Sequence, residues 1–261
     1  AYLDVEVERD IVLGDNGNVA WEVDGSILTA TTTDPAIGGS DTILTRNGSD
    51  IVIGGTAGDT IDAGTDASGD HEVDIVLGDS GTATFDSAGR LDTITSTATD
   101  IGGDDLIDTG GARDVVFGGT ASDTIHTESG DDIVLGDSGS ADFNTDLDVG
   151  VDPAHYGILR TITTITPSLG DDDIITTDEG ADIVIGGAAS DSITAYLDVE
   201  VERDIVLGDN GNITFEVDGS ILEAATTDPA IGGSDTILTR NGDDIVIGGT
   251  AGDTIDAGTD A

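Results

Sequence analysis

Apolar residues in this chain fall in short, regular triplets rather than at helical spacing. DIVLGD occurs at 10–15, 74–79, 132–137 and 204–209, and DIVIGG or DVVFGG at 50–55, 114–119, 182–187 and 244–249. An aspartate precedes each triplet, and these aspartates recur every nine residues: Asp41, Asp50 and Asp59; Asp105, Asp114, Asp123 and Asp132; Asp173, Asp182 and Asp191; Asp235, Asp244 and Asp253. Other triplets of the series, such as TIL, TID and TIH, have an apolar centre. Six residues rich in glycine, serine, threonine and asparagine lie between triplets. Such a unit is too short for a helix and suits a chain that winds around a flat core. Two units make one coil of about 18 residues, with strands on opposite faces and coils stacked ~4.8 Å apart as parallel sheets. Aspartates 18 apart (Asp41 and Asp59, Asp105 and Asp123, Asp173 and Asp191, Asp114 and Asp132) are expected to stack on one side.

The pattern repeats on a longer scale. Residues 1–67 return as 195–261 with six differences: Val19/Ile213, Ala20/Thr214, Trp21/Phe215, Thr29/Glu223, Thr31/Ala225 and Ser49/Asp243. Within this period a shorter unit recurs. The expected division is 1–9 (end of a preceding unit), 10–73, 74–131, 132–203, and 204–261 as a partial copy of the first. An internal window on a longer array is expected.

Each unit is interrupted after LGDNGN or LGDSG by an alternating run carrying one aromatic: Trp21, Phe85, Phe143 or Phe215. A turn follows, Asp24-Gly25 or the SAG at 87–89, then a threonine-rich alternating run such as SILTATTT or LRTITTIT. Asp-Gly between alternating runs signals a hairpin. Each interruption therefore reads as an inserted β-hairpin, lying along the roll or projecting from it, with its aromatic as a plug. The threonines cluster only in these hairpins, so a flat ladder with a rung on every coil, of the kind that orders water, is not expected. Leu197, Val199 and Val201 alternate with acids and suggest one more strand. A thin apolar layer, not a large core, is expected to hold the coil.

Charge changes the picture. There are 55 acidic residues, 7 basic ones and a formal net charge of −48. No basic footprint for nucleic acid exists, an anionic membrane would repel the chain, and no apolar run approaches the ~18 residues that span a bilayer. No cysteine is present, so there are no disulfides or thiolate sites. His71, His126 and His155 stand in three different contexts and read as surface residues. Arg46 and Arg240 read as screens for nearby aspartates. No nucleophile–base frame appears, and no enzyme is expected. A fold this acidic repels itself unless cations lie among its carboxylates.

The fragments GGTAGDTID at 54–62 and 248–256, GGTASDTIH at 118–126 and GGAASDSIT at 186–194 resemble the RTX calcium-binding nonapeptide G-G-x-G-x-D-x-U-x. The resemblance implies an all-β, right-handed parallel β-roll or β-solenoid of RTX type. In it, turn carbonyls and the sixth-position aspartates of successive coils surround multiple calcium ions. Those aspartates are Asp41, Asp50, Asp59, Asp105, Asp114, Asp123, Asp132, Asp173, Asp182, Asp191, Asp235, Asp244 and Asp253, with Asp10, Asp74 and Asp204 in the equivalent frame. At the hairpin roots, Asp15, Asp79, Asp137 and Asp209 are either further ligands or turn formers. The oxygen-only donor set is what calcium takes. Two departures stand out. Position four is alanine at Ala57, Ala121, Ala189 and Ala251, where positive φ is costly, so a different bend or weaker binding is expected. Position one is threonine at Thr45 and Thr177.

The implied protein is a calcium-stiffened stalk, filament or sheath segment of a large extracellular or cell-surface microbial protein such as an adhesin. Its expected partners are calcium ions, further copies of the repeat in cis, and neighbouring chains through the hairpins, with no nucleic acid and no membrane insertion. Two alternatives stand beside it: the secretion-linked block of an enzyme, toxin or adhesin, and a laterally assembling sheath subunit.

Overall fold

The computed structural model describes residues 9–64, 72–148, 150–196 and 202–258. The strand expected around Leu197, Val199 and Val201 lies outside them, as does His71. Among the described residues the chain forms three eight-stranded sheets. The first, here the middle sheet, is parallel and holds Ile11–Leu13, Ile51–Gly55, Ile75–Asp79, Val115–Gly119, Ile133–Asp137, Ile183–Gly187, Ile205–Asp209 and Ile245–Ile247. The second, the outer sheet, is also parallel and holds Thr42–Leu44, Thr60–Asp62, Leu106–Asp108, Thr124–His126, Ile174–Thr176, Ser192–Thr194, Thr236–Leu238 and Thr254–Asp256. Chain order alternates between them, so each middle-to-outer pair is one coil. The register is unbroken: Val52 lies beside Val76, Val116 beside Val134, and Ile107 beside Ile125.

The third sheet is antiparallel and consists of the hairpins. Gly17–Trp21 pairs with Ile27–Thr32, Gly81–Phe85 with Leu91–Ser96, Gly139–Phe143 with Leu159–Thr164, and Gly211–Phe215 with Ile221–Thr226. Each hairpin also pairs with the next, through Ala30–Ala83, Ile94–Ala141 and Ile162–Ile213. The hairpins therefore lie flat and join edge to edge into a continuous layer.

This layer explains the two kinds of triplet. In IVL and IVI the central valine faces the outer sheet and packs with Ile43, Ile61, Ile107, Ile125, Ile175, Ile193 and Ile237. The flanking residues, such as Ile51 and Ile53 or Ile133 and Leu135, face the hairpin sheet and pack with Ala83, Phe85, Ile94, Phe143 and Ile162. A strand covered on both faces is apolar throughout. The outer-sheet triplets are covered on one face and keep one buried residue each, except Thr254–Asp256 at the end of the sheet, whose Ile255 is exposed. The expectation of a single thin apolar layer is thus corrected: two layers flank the middle sheet. Gly17 makes the close approach possible, since a Cβ there would stand 2.5 Å from Leu13 Cδ1.

The aromatics divide. Phe85 and Phe143 are buried plugs, but Trp21 is 57% exposed, because it lies on the outermost strand of the hairpin sheet among the described residues. The expectation about threonine is also corrected. Hairpin-to-hairpin pairing lines up Thr31, Thr82, Thr95, Ser140 and Thr163 in one row across the solvent face, with Thr29, Thr84, Thr93 and Thr161 in a parallel row. Hydroxyls bridge neighbouring strands, as Thr31 to Thr82 at 2.6 Å and Thr84 to Thr93 at 2.7 Å.

Candidate metal centre

All twenty aspartates singled out in the sequence stand in three rows. Eight, Asp41, Asp59, Asp105, Asp123, Asp173, Asp191, Asp235 and Asp253, precede the outer-sheet strands. Within this row the backbone N–H of each aspartate donates to Oδ1 of the next at 2.7–3.1 Å. The sequence separations run 18, 46, 18, 50, 18, 44 and 18, so the ladder passes each hairpin without a break. Eight more, Asp10, Asp50, Asp74, Asp114, Asp132, Asp182, Asp204 and Asp244, precede the middle-sheet strands and form the same ladder along the opposite edge, again at 2.7–3.1 Å. The stacking expected for residues 18 apart therefore holds, and it extends to residues much further apart.

The second carboxylate oxygen is buried without a hydrogen bond at positions on both edges. On the first edge, Oδ2 of Asp59, Asp105, Asp123, Asp173, Asp191 and Asp235 is buried and accepts no hydrogen bond, although these residues are at most 3% exposed. Each lies in a cradle that only glycine permits. A Cβ on Gly54 would collide with both Asp59 Oδ2 and the Gly78 carbonyl oxygen, and one on Gly118 with Asp123 Oδ2 and the Gly136 carbonyl oxygen. Gly78, Gly136, Gly186 and Gly208 repeat the arrangement with Asp105, Asp173, Asp191 and Asp235. A row of carboxylate oxygens thus abuts a row of carbonyl oxygens, here called the glycine edge. On the opposite edge, here called the threonine edge, Thr127 donates to Asp132 Oδ2 at 2.6 Å and Thr177 to Asp182 Oδ2 at 2.5 Å, while Oδ2 of Asp50 and of Asp244 is buried and accepts no hydrogen bond.

The hairpin-root aspartates form the third row, on the glycine edge. Asp79 accepts from the backbone N–H groups of Thr120 at 2.6 Å and Gly103 at 3.2 Å. Asp15 accepts from Thr56 and Gly39, and Asp209 from Gly233 and the backbone and hydroxyl of Thr250. Asp137 accepts from the backbone N–H of Ala188. These carboxylates pin the returning chain to the neighbouring turn; the charge of Asp59 raises the Asp79 carboxyl, and that of Asp79 raises Asp105.

Burial pushes the carboxyls of both edges upward. Asp105 rises to about 8, and Asp173 and Asp191 to about 9, first through desolvation and then through neighbouring carboxylates. Asp123 is raised well above its ordinary value for the same reasons. Asp79 reaches about 7 and Asp137 about 8, mainly by desolvation. On the threonine edge Asp132 reaches about 9 by burial and by Asp182 and Asp114. Without a partner, an ionised oxygen in such a site is strongly unfavourable. The chemistry that fits the glycine edge is a hard cation taking carboxylate and carbonyl oxygens, which is calcium's donor set.

A family model for the RTX calcium-binding nonapeptide repeat, in four copies, matches residues 36–68, 102–121, 108–140, 169–197 and 230–261. The chain belongs to the RTX calcium-binding repeat family. Its repeats bind multiple calcium ions, and the all-β parallel roll is the fold that this membership implies. The matched segments leave out most of the hairpins and also the middle-sheet strands Ile11–Leu13, Ile75–Asp79 and Ile205–Asp209 that lead into them. No curated protein matches the chain.

Several features escaped the sequence. The threonine at the fifth residue before an edge aspartate was visible as a departure from the repeat, but not its hydroxyl bond. The alanines at position four do not bend the turn differently: Ala57, Ala121, Ala189 and Ala251 take φ of 65–83°, the left-handed region glycine would occupy. His126 is not a simple surface residue. It is half-buried, with Nε2 3.2 Å from Asp178 Oδ2 and Nδ1 3.7 Å from Asp108 Oδ2, and its pKa is raised to about 9, chiefly by Asp108. Arg240 stacks at 4.3 Å over the Tyr196 ring; among the described residues it is Arg90 and Arg203 that pair with aspartates, Asp86 and Asp243.

Proposed function

We propose that this segment is a calcium-rigidified structural element, a stalk or filament section of a large extracellular or cell-surface protein, without catalysis of its own. The observation that carries the reading is the row of buried Oδ2 atoms against glycine carbonyls. Asp41, Asp59, Asp105, Asp123, Asp173, Asp191, Asp235 and Asp253 would hold calcium there, with the carbonyls of the glycine row and the hairpin-root aspartates close by. The same machinery recurs in coil after coil, as ligands do and active sites seldom do. Extracellular calcium modules work at about 10⁻⁴–10⁻³ M, so such a chain would be disordered where calcium is scarce and would fold where it is plentiful. Circular dichroism tests this. The β signal should appear with calcium and collapse in EDTA; a full β signal persisting in EDTA overturns the reading.

The hairpin face favours lateral assembly as a second reading. On a chain of net charge −48, this face presents mainly hydroxyls, with Asp92, Asp142 and Glu223 as its acids. It is the surface where two such chains can approach with least repulsion. Electron microscopy of the calcium-loaded chain should then show ordered side-by-side contacts through the hairpins; rods that remain separate at high concentration count against it.

A further inference from the structure

We propose that Asp108, His126 and Glu128 form a second kind of metal site, one for zinc or a similar transition-metal ion, on the solvent face of the outer sheet and separate from the aspartate rows of the two edges.

The site is built by register. Asp108 and His126 end neighbouring outer-sheet strands and lie side by side. In each strand the central isoleucine, Ile107 or Ile125, is buried, so the residues that flank it point outward. The chain then passes through Thr127, which is buried and reaches inward to Asp132. Glu128 follows with φ of 53°. One ligand atom from each of Asp108, His126 and Glu128 lies within 4.8 Å of the others. Asp178 stands at the matching position of the next turn, with φ of 55°, two residues beyond Thr176, the register partner of His126.

Two distances separate this cluster from an ordinary ion pair. His126 Nε2 is 3.2 Å from Asp178 Oδ2. The ring donates there, because a carboxylate only accepts. His126 Nδ1 is 3.7 Å from Asp108 Oδ2. That is too long for a hydrogen bond, but close to the ~3.4 Å between two donor atoms on a tetrahedral ion with bonds of about 2.0–2.2 Å. A metal-bound histidine almost always gives its other N–H to a carboxylate or carbonyl, which fixes the tautomer and aims the ring. Asp178 fills that place and leaves Nδ1 facing Asp108. Asp178 is thus a positioning residue, and the ligands are the other three.

The donor set selects the metal. Imidazole nitrogen suits zinc and its neighbours in the first row, whereas calcium takes oxygen. Charge agrees with this. Three carboxylates surround one ring, so even a protonated imidazole leaves the cluster negative, and a dication in place of the ring proton brings it closer to neutral. The same position in the other outer-sheet strands holds Leu44, Asp62, Thr176, Thr194, Leu238 and Asp256. No other strand of this sheet supplies the nitrogen. An ion here would tie Leu106–Asp108 to Thr124–His126 from the outside.

The test is zinc binding by the full chain in millimolar calcium. Equilibrium dialysis should find a zinc ion that calcium does not displace, and X-ray absorption at the zinc edge should show imidazole scattering. His126→Gln should lose that ion and its imidazole signature while keeping the parent's calcium count and β signal. Asp178→Asn should weaken zinc binding by roughly 10–100-fold with the imidazole signature intact. His155→Gln should bind zinc as the parent does. Zinc retained unchanged in His126→Gln, or zinc that calcium displaces, overturns the proposal. A spectrum of the unmodified chain without imidazole overturns it too, whether or not any variant folds. Each of these outcomes leaves the calcium reading of the aspartate rows standing.

Discussion

Ala57, Ala121, Ala189 and Ala251 show how tightly the glycine-edge turn is specified. An L-residue in the left-handed region costs roughly 1–2 kcal/mol, yet all four adopt it because the coils on either side fix where the turn begins and ends. Ala121→Gly should relieve that strain, offset by about 0.4–1 kcal/mol of extra freedom in the unfolded chain. The expected outcome is unchanged or slightly lower calcium at the folding midpoint. Gly119→Ala should do the opposite by several-fold, since φ there is 131° and the new Cβ meets the Asp79 carboxylate. Calcium titrations followed by circular dichroism compare the two. Protons should compete with calcium at the same carboxyls. The folded roll raises Asp105, Asp173 and Asp191 from 3.8 to about 8 or 9, so the neutral form is the one the metal-free fold favours. Stability from this source is complete below about pH 3.8 and is lost as pH climbs towards 8–9. Calcium requires the ionised form, and the calcium-free chain is unfolded with its carboxyls near 3.8, so binding should release few protons at pH 7 and more as pH falls towards 4, where the half-saturating concentration should rise. Calorimetry in two buffers of different ionisation enthalpy reads the release; a large release at pH 7 would mean that the metal-free roll is already folded.

At the scale of the element, the hairpins are where sequence and structure part most. Their strands, turns and aromatic plugs were readable from alternation and from Asp24-Gly25, because those signals are local. Their pairing with one another was not: Ala30 meets Ala83 and Ile94 meets Ala141 across whole coils of intervening chain. A clue was nonetheless present. The middle-sheet triplets are apolar at all three positions, and a strand that is apolar on both faces needs cover on both. The aspartate ladders were legible because the nine-residue spacing resumes after every interruption. The hydroxyl bonds to Asp132 and Asp182 were not, since they depend on side-chain geometry. Within the hairpin sheet, alternation sets a sharp contrast. Ile162 is fully buried against the middle sheet, and Ile162→Ala should cost about 2–5 kcal/mol. Its neighbour Thr163 faces solvent, and Thr163→Ala should cost under about 1 kcal/mol. Chemical denaturation in saturating calcium measures both, and similar costs would mean that the hairpin layer does not pack as described.

For the whole molecule the question is whether calcium acts as ligand or merely as counter-ion. With a net charge of −48, any salt should reduce self-repulsion, and at 1 M the screening length shrinks to about 3 Å. Screening, however, cannot fill the gap between Asp123 Oδ2 and the Gly136 carbonyl oxygen, which are held together by the fold and buried from water. Because each coil touches only its neighbours, the cost of each unfilled gap is local and sums along the array. Sodium chloride at 1 M with EDTA should therefore contract the chain without building the roll. A few millimolar calcium at low ionic strength should build it. Small-angle X-ray scattering separates the cases: an unfolded chain of this length has a radius of gyration near 56 Å, and a compact one near 18 Å. The calcium-loaded chain should lie close to the smaller value, and the salt-screened chain well above it and without β signal. If salt alone gave the compact β form, the ions would be acting only through charge, and the oxygen rows of the glycine edge would need another explanation.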